Sequence, residues 1–259
     1  MLASIDKGVY VALVASYGFL AATYLLRRNG IAQLSWAVWL LHTFLLAVRW
    51  LEVGRTPFST LYECLSLFAW SGVLAYLLVQ RFGREKVRWS GVVLFAIMAA
   101  AMGYGATKDP TVKPLSPALD SIWFEVHVIP AFASYALFVA AFAFQLEFLV
   151  TAARRERLDF FSRKLILFAF PLLSFGIFSG AGWAEETWGT YWSWDPKETA
   201  SLVTWCVYLA YIHASRSPRF ARVPSRVLNI LGFVSMMFTF LGFNVVARLL
   251  GLPTAHAYT

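Results

Sequence analysis

Apolar residues fall along the chain in eight long runs, at 9–26, 34–51, 60–80, 90–107, 123–150, 163–183, 196–215 and 226–250. A helix of about 20 residues, rising about 1.5 Å per residue, crosses a hydrocarbon layer about 30 Å thick. In lipid a helix also satisfies its own backbone polar groups, which an open strand cannot do. The pattern therefore predicts an all-α polytopic membrane protein: a bundle of eight transmembrane helices, forming one integral membrane domain over 1–259. No internal repeat and no low-complexity stretch is visible. No polar interval is long enough to fold as a separate soluble domain.

Composition sharpens this reading. Apolar residues make up 59% and charged residues 14%, with mean hydropathy +0.63. A soluble domain carries about 25% charge, and a disordered chain carries far less apolar side chain than this. A net charge of +8 would suggest nucleic acid in a soluble protein. Here the basic residues sit in the short loops, so topology is the better explanation and no nucleic-acid partner is expected. The loops after the first, third, fifth and seventh runs, from Arg27 to Arg226, hold fifteen Lys and Arg, against seven on the other side. That asymmetry puts the richer set in the cytoplasm and both termini outside. Asp6 and Lys7 cancel ahead of the first run, and Arg27 and Arg28 follow it directly. This favours a retained helix over a cleaved leader. Cys64 and Cys206 form neither a CxxC pair nor a metal spacing, and both are read as buried thiols.

The unusual residues lie on the outer side, in loops around 52–59, 108–122 and 184–195 and in the tail from Leu252. Between runs six and seven stand Trp183, Trp188, Tyr191, Trp192 and Trp194, followed by Asp195, Pro196, Lys197 and Glu198. If that stretch is helical, Trp188, Tyr191 and Trp192 share one face at i, i+3, i+4 spacing. Such a face can hold a large planar ligand by stacking. The alternative is an interfacial aromatic belt ending in a helix cap. Asp195 would be the N-cap, Pro196 the first helical residue and Glu198 the end of a capping box.

The string WGTYWSWDPKET resembles the tryptophan-rich WWD signature of the haem-handling proteins of cytochrome c biogenesis. With Trp205, Tyr208, Tyr211 and His213-Ala214-Ser215-Arg216 it is most similar to the CcsA (ResC) branch. The likeness extends from Pro57-Phe58 and Tyr62-Glu63 to the tail, with the signature at 183–198. The resemblance implies non-covalent haem b, handled at the outer face of a bacterial inner or plasma membrane, or of a thylakoid membrane. It further implies attachment to the CxxCH motif of apocytochrome c, a synthase activity exercised with a CcsB/ResB-type membrane partner, and conduction of haem across the lipid.

The chain has four histidines. His127 starts run five and His256 follows run eight, both on the side of the tryptophan loop. One haem can therefore be flanked by both imidazoles, although a membrane histidine also serves as an interhelical hydrogen-bond partner. The resemblance assigns these two as axial ligands of an outer haem. His213 lies 15 residues beyond Glu198, roughly 22 Å deeper along its helix, where the resemblance implies a second, inner haem. Its other ligand would come from the partner. His42, roughly 9 Å higher than His213 by residue count, is the weaker candidate.

Glu63, Glu125, Glu185 and Glu186 are read as solvated or as neighbours of the histidines. Arg49, Arg55, Lys197 and Arg248 are a group able to pair with haem propionates. Gly176 and Gly180 form a small-xxx-small pattern for close helix packing, and Pro130 and Pro171 are candidate kinks. Two rival functions stay open: a di-haem electron carrier, disfavoured because each histidine belongs to a different segment, and a haem transporter without ligation activity, disfavoured because no pair of interrupted spans is visible.

Overall fold

The computed structural model describes residues 2–26, 30–83, 88–112, 114–151, 155–217 and 223–242. These hold eight α-helices and no strand: α1 (Leu2–Leu25), α2 (Ile31–Val53), α3 (Leu61–Gly83), α4 (Trp89–Gly105), α5 (Ile122–Val150), α6 (Arg155–Trp188), α7 (Pro196–Arg216) and α8 (Val223–Met237). A 3-10 turn, Pro117–Leu119, precedes α5, and a π-helical turn, Phe238–Gly242, extends α8. Six of the described helices are long and apolar enough to cross a membrane; α4, with 17 residues, is shorter, and α7 carries more polar side chains. The largest difference from the expected boundaries is in α6. Its helix runs from Arg155, eight residues before the predicted start, to Trp188, five beyond the predicted end. Charged flanks interrupt an apolar run but not a helix, because Arg and Glu are good helix formers.

The chain forms two compact units. One comprises residues 1–115 and 146–161, the other residues 116–145 and 162–259.

In the first unit α2 is inverted relative to a soluble helix. Its buried residues are Ser35, His42 and Arg49, while Leu34, Leu40, Leu41, Phe44 and Trp50 are exposed. Lipid takes apolar side chains as readily as a core does, so polar ones turn inward to find partners. The three sit seven residues apart, as do the buried Tyr10, Tyr17 and Tyr24 of α1. Heptad spacing keeps one stripe facing a neighbouring helix. His42 Nδ1 is 2.7 Å from the Tyr17 hydroxyl and its Nε2 is 2.8 Å from Ser66 Oγ. Ser35 donates to the Tyr24 hydroxyl at 3.5 Å.

At one end of this stripe Glu63 is only 2% exposed and is held by Arg49 at 3.2 Å and Arg55 at 3.1 Å. It also accepts the backbone N–H groups of Ser59 and Thr60, while Thr60 Oγ1 accepts the N–H of Glu63. Thr60 and Glu63 are thus a reciprocal capping box at the start of α3. Glu63 was expected to be solvated or beside a histidine; instead it is the shared anion of two arginines. Arg49, expected among the haem-pairing cations, is committed to Glu63 and to the Pro110 carbonyl at 2.9 Å. A second buried carboxylate, Glu147, accepts from the backbone of Arg88 and Ser90 and from the Ser90 hydroxyl, capping α4 from outside.

The second unit is held by aromatic stacking. Phe138 lies on Tyr208 at 3.6 Å and Phe142 on Phe233 at 3.8 Å, both pairs nearly parallel. Thr204 joins Ser235 and Thr239 through hydroxyl bonds of 2.8 and 3.0 Å. Cys64 is buried as expected, but Cys206 is exposed on α7. Position within an apolar run does not imply protein burial when the solvent is lipid.

Candidate functional site

The second unit carries an open cleft, with His127, Trp183, Tyr191, Trp192, Lys197 and Glu198 on its wall.

His127 reaches the cleft because α6 is stripped of side chain opposite it. A Cβ on Gly180 would lie 2.6 Å from His127 Nδ1, and one on Gly176 would meet the Ala131 backbone at 3.4 Å. The small-xxx-small pair thus serves close packing, as its spacing predicts, and in addition makes room for an imidazole. His127 Nδ1 donates to the Gly176 carbonyl at 2.7 Å. A carbonyl only accepts, so the proton sits on Nδ1 and the ring's lone pair on Nε2, the arrangement a metal-binding histidine uses. Ser179 donates to the same Gly176 carbonyl at 3.1 Å.

Trp183 is 4% exposed, its indole N–H bonded to the Ala118 carbonyl at 2.7 Å. Its ring lies 6.0 Å from the His127 ring and within 11° of parallel. Trp188 stands edge-on to Trp183 at 4.9 Å.

The aromatic segment is not one helical face. Helix α6 ends at Trp188, and Gly189, in left-handed conformation at φ 71, turns the chain. Tyr191, Trp192 and Trp194 follow in irregular backbone. The conditional expectation of an i, i+3, i+4 face through Trp188, Tyr191 and Trp192 therefore fails: the glycine-tipped turn overrides the aromatic periodicity. The cap reading holds. Asp195 accepts from the Lys197 N–H at 2.8 Å, Glu198 accepts from the Asp195 N–H at 3.1 Å, and Pro196 opens α7.

What the spacing did not disclose is the further reach of Glu198. Its carboxylate also accepts the Ser193 N–H at 2.9 Å and its hydroxyl at 3.3 Å. One side chain thereby fixes the loop to the helix it caps. Within that loop Trp194 is held at φ 61, a strained conformation for a bulky residue, with its ring 68% exposed. Two substitutions here have opposite signs. Asp195→Ala removes the cap and lowers stability by about 1 kcal/mol. Trp194→Gly relieves the left-handed strain and raises it by about 1 kcal/mol. Thermal unfolding in detergent micelles reads both, and a stabilised Asp195→Ala variant would contradict the cap.

Of the residues singled out in the sequence, the cleft brings together His127, Trp183, Tyr191 and Trp192. Trp188, Trp194 and Asp195 stand beside it rather than on its wall. His213 lies at the last turn of α7, exposed, with Nδ1 on the Leu209 carbonyl at 2.9 Å, so its lone pair too is on Nε2. His42 belongs to the first unit, with both ring nitrogens hydrogen-bonded. His256 and Arg248 lie outside the described residues. Tyr135, Ser201 and Thr239, which carried no sequence signal, also line the cleft.

Residues 58–250 match the family described as Cytochrome C assembly protein. The chain is 34% identical to the cytochrome c biogenesis protein CcsA of Chlamydomonas reinhardtii, over 81% of this chain and 64% of that relative's own length. It is 33% identical to CcsA of Parasynechococcus marenigrum, over 85% of both chains, and 32% identical to CcsA of Guillardia theta, over 80% of this chain and 79% of the relative. Its fold is similar to that of a solved cytochrome c haem lyase, CcmF, with a TM-score of 0.70 at 20% identity, covering 97% of this chain and 50% of the other. With six helices able to cross a membrane and a family match through both the tryptophan loop and the cleft, the chain is a multi-pass membrane protein that belongs to the cytochrome c assembly family, among its CcsA members.

Proposed function

We propose that this chain binds haem b non-covalently in the cleft at the outer membrane face and presents it to apocytochrome c for thioether formation. The observation that carries this reading is His127: an imidazole on an aromatic-walled cleft, its tautomer fixed so that Nε2 holds the lone pair. His256, which lies outside the described residues, would be the second iron ligand that the family resemblance implies. The bundle crosses the membrane eight times as one integral domain, both termini outside, in a bacterial inner or plasma membrane or a thylakoid membrane. The excess of Lys and Arg in the alternate loops supports this orientation, and the family resemblance supports the choice of membrane.

The site residues divide by geometry. His127 would hold the haem iron through Nε2. Trp183 lies within 11° of parallel to the imidazole and braces it. Stacking falls to Tyr191 and Trp192, which line the cleft from the loop, with Trp188 and Asp195 at the two ends of that loop and Trp194 edge-on to Trp192.

Haem supplies two vinyl groups, and a thiol adds across each: sulfur bonds one vinyl carbon, the thiol hydrogen goes to the other, and no electron leaves the pair. The protein's part is to hold the ring and bring a CxxCH segment alongside. His213, exposed and with its lone pair on Nε2, is assigned to an inner haem whose other ligand comes from a CcsB/ResB-type partner. His42 is assigned a structural role, since Tyr17 and Ser66 occupy both its nitrogens.

The test is purification from membranes with the partner co-expressed. The expected result is b-type haem that acid acetone extracts, lost to covalent cytochrome when apocytochrome is supplied. A preparation without haem under these conditions would sink the reading. Haem uptake by vesicles lacking apocytochrome, with no attachment when it is added, would favour the transporter.

A further inference from the structure

One polar atom on the wall of the cleft has no counterpart. The indole nitrogen of Trp192 is buried and has no hydrogen-bond partner among the described residues. Indole N–H is a donor only. A buried donor left unmade is costly, and native structures rarely keep one without a reason. Trp194 stands edge-on to the ring at 5.9 Å, and the loop that carries it is tied at Ser193 and Asp195 by Glu198.

The surroundings state which acceptor fits. Lys197 lines the same cleft from the first turn of α7. Glu198 is also on the wall, but its carboxylate is engaged by Ser193 and by the Asp195 N–H. An indole donor and a lysine thus line one cleft beside a carboxylate that is tied into the loop.

We infer that Trp192 Nε1 and Lys197 form a carboxylate-reading end of the cleft, which selects a tetrapyrrole by its propionate side chains. The inference rests on the haem reading and deepens it: the aromatic segment sorts ligands by charge as well as by shape. One propionate accepts from the indole N–H with the Lys197 ammonium beside it. The ring is thereby oriented with its carboxylates toward α7, which fixes where its vinyl edge lies.

The experiment is an absorbance titration of full-length, haem-stripped protein in detergent micelles with haemin and, separately, with haemin dimethyl ester. The wild type prefers the diacid. Trp192→Phe keeps an aromatic ring, removes only the donor, and reduces that preference by roughly tenfold, the usual effect of losing one hydrogen bond to a charged group. Lys197→Gln reduces it as well, and provides a second variant should Trp192→Phe fold poorly.

Equal affinity of the wild type for acid and ester, with a His127-dependent spectrum in both, would overturn the inference and leave the haem reading standing. An unchanged acid-to-ester ratio in both variants would overturn it in the same way. Failure of both porphyrins to bind would overturn both readings together.

Discussion

His127→Gly abolishes the low-spin spectrum of the outer haem, and added imidazole restores it. The ring donates to Gly176 and lies against Trp183, so its removal leaves a pocket shaped for an imidazole with both neighbours in place. Free imidazole fills it and again presents an sp² nitrogen to the iron. Gly180→Val should reach the same spectral defect without touching the ligand. A Cβ there lies 2.6 Å from Nδ1, and the branched methyls reach further into the ring. The His127–Gly176 hydrogen bond breaks, the tautomer is no longer fixed, and Nε2 moves off its axis. Imidazole does not rescue this variant, because the added side chain occupies the rescue pocket. The pair separates ligand loss from ligand misplacement. A wild-type spectrum in His127→Gly would end the axial assignment; a wild-type spectrum in Gly180→Val would show that the imidazole does not depend on that gap.

The second large effect lies in the other unit. Glu63→Ala leaves Arg49 and Arg55 facing one another without their shared anion, in a site where Arg49 is buried. Breaking a buried ion pair from one side costs about 3–5 kcal/mol. The same substitution removes the acceptor for the Ser59 and Thr60 N–H groups, and with it the capping box of α3. For a chain of this size that corresponds to a fall in Tm of roughly 10 °C, measured by thermal unfolding in micelles. Glu63→Leu combined with Arg49→Met recovers much of the loss, since an apolar pair of similar volume carries no desolvation penalty. A drop below about 1 kcal/mol for Glu63→Ala would mean that solvent reaches the cluster and screens it.

Much of the molecule was legible along the chain. Helices come from long apolar runs, and in lipid nothing else satisfies the backbone. The α7 cap was readable because Asp-Pro-Lys-Glu places an acceptor, a fixed φ and a returning carboxylate at the spacings that a helix start needs. The Gly176–Gly180 pair was readable as a packing stripe. Thr60–Glu63 carried the same capping signature in T-x-x-E form and was passed over, because its glutamate sits in an apolar run and was assigned to the surface.

Other features depended on which segments meet. Periodicity treated the aromatics from Trp183 to Trp194 as one shelf, but the turn at Gly189 splits them, leaving Trp183 on α6 beside an imidazole and Trp192 in a loop with an unmet donor. Arg49 was read in the sequence among the cations able to pair with haem propionates, and it is the partner of Glu63 in the fold.

The helical membrane architecture, the cap of α7 and the family signature are readable from local pattern, because each depends on residues within a few turns of one another. That Gly180 clears space for His127, that Trp183 lies against the imidazole, and that Glu63 joins two arginines emerge from the folded chain. These are contacts between separate segments of the chain, and no local spacing encodes the distance between them.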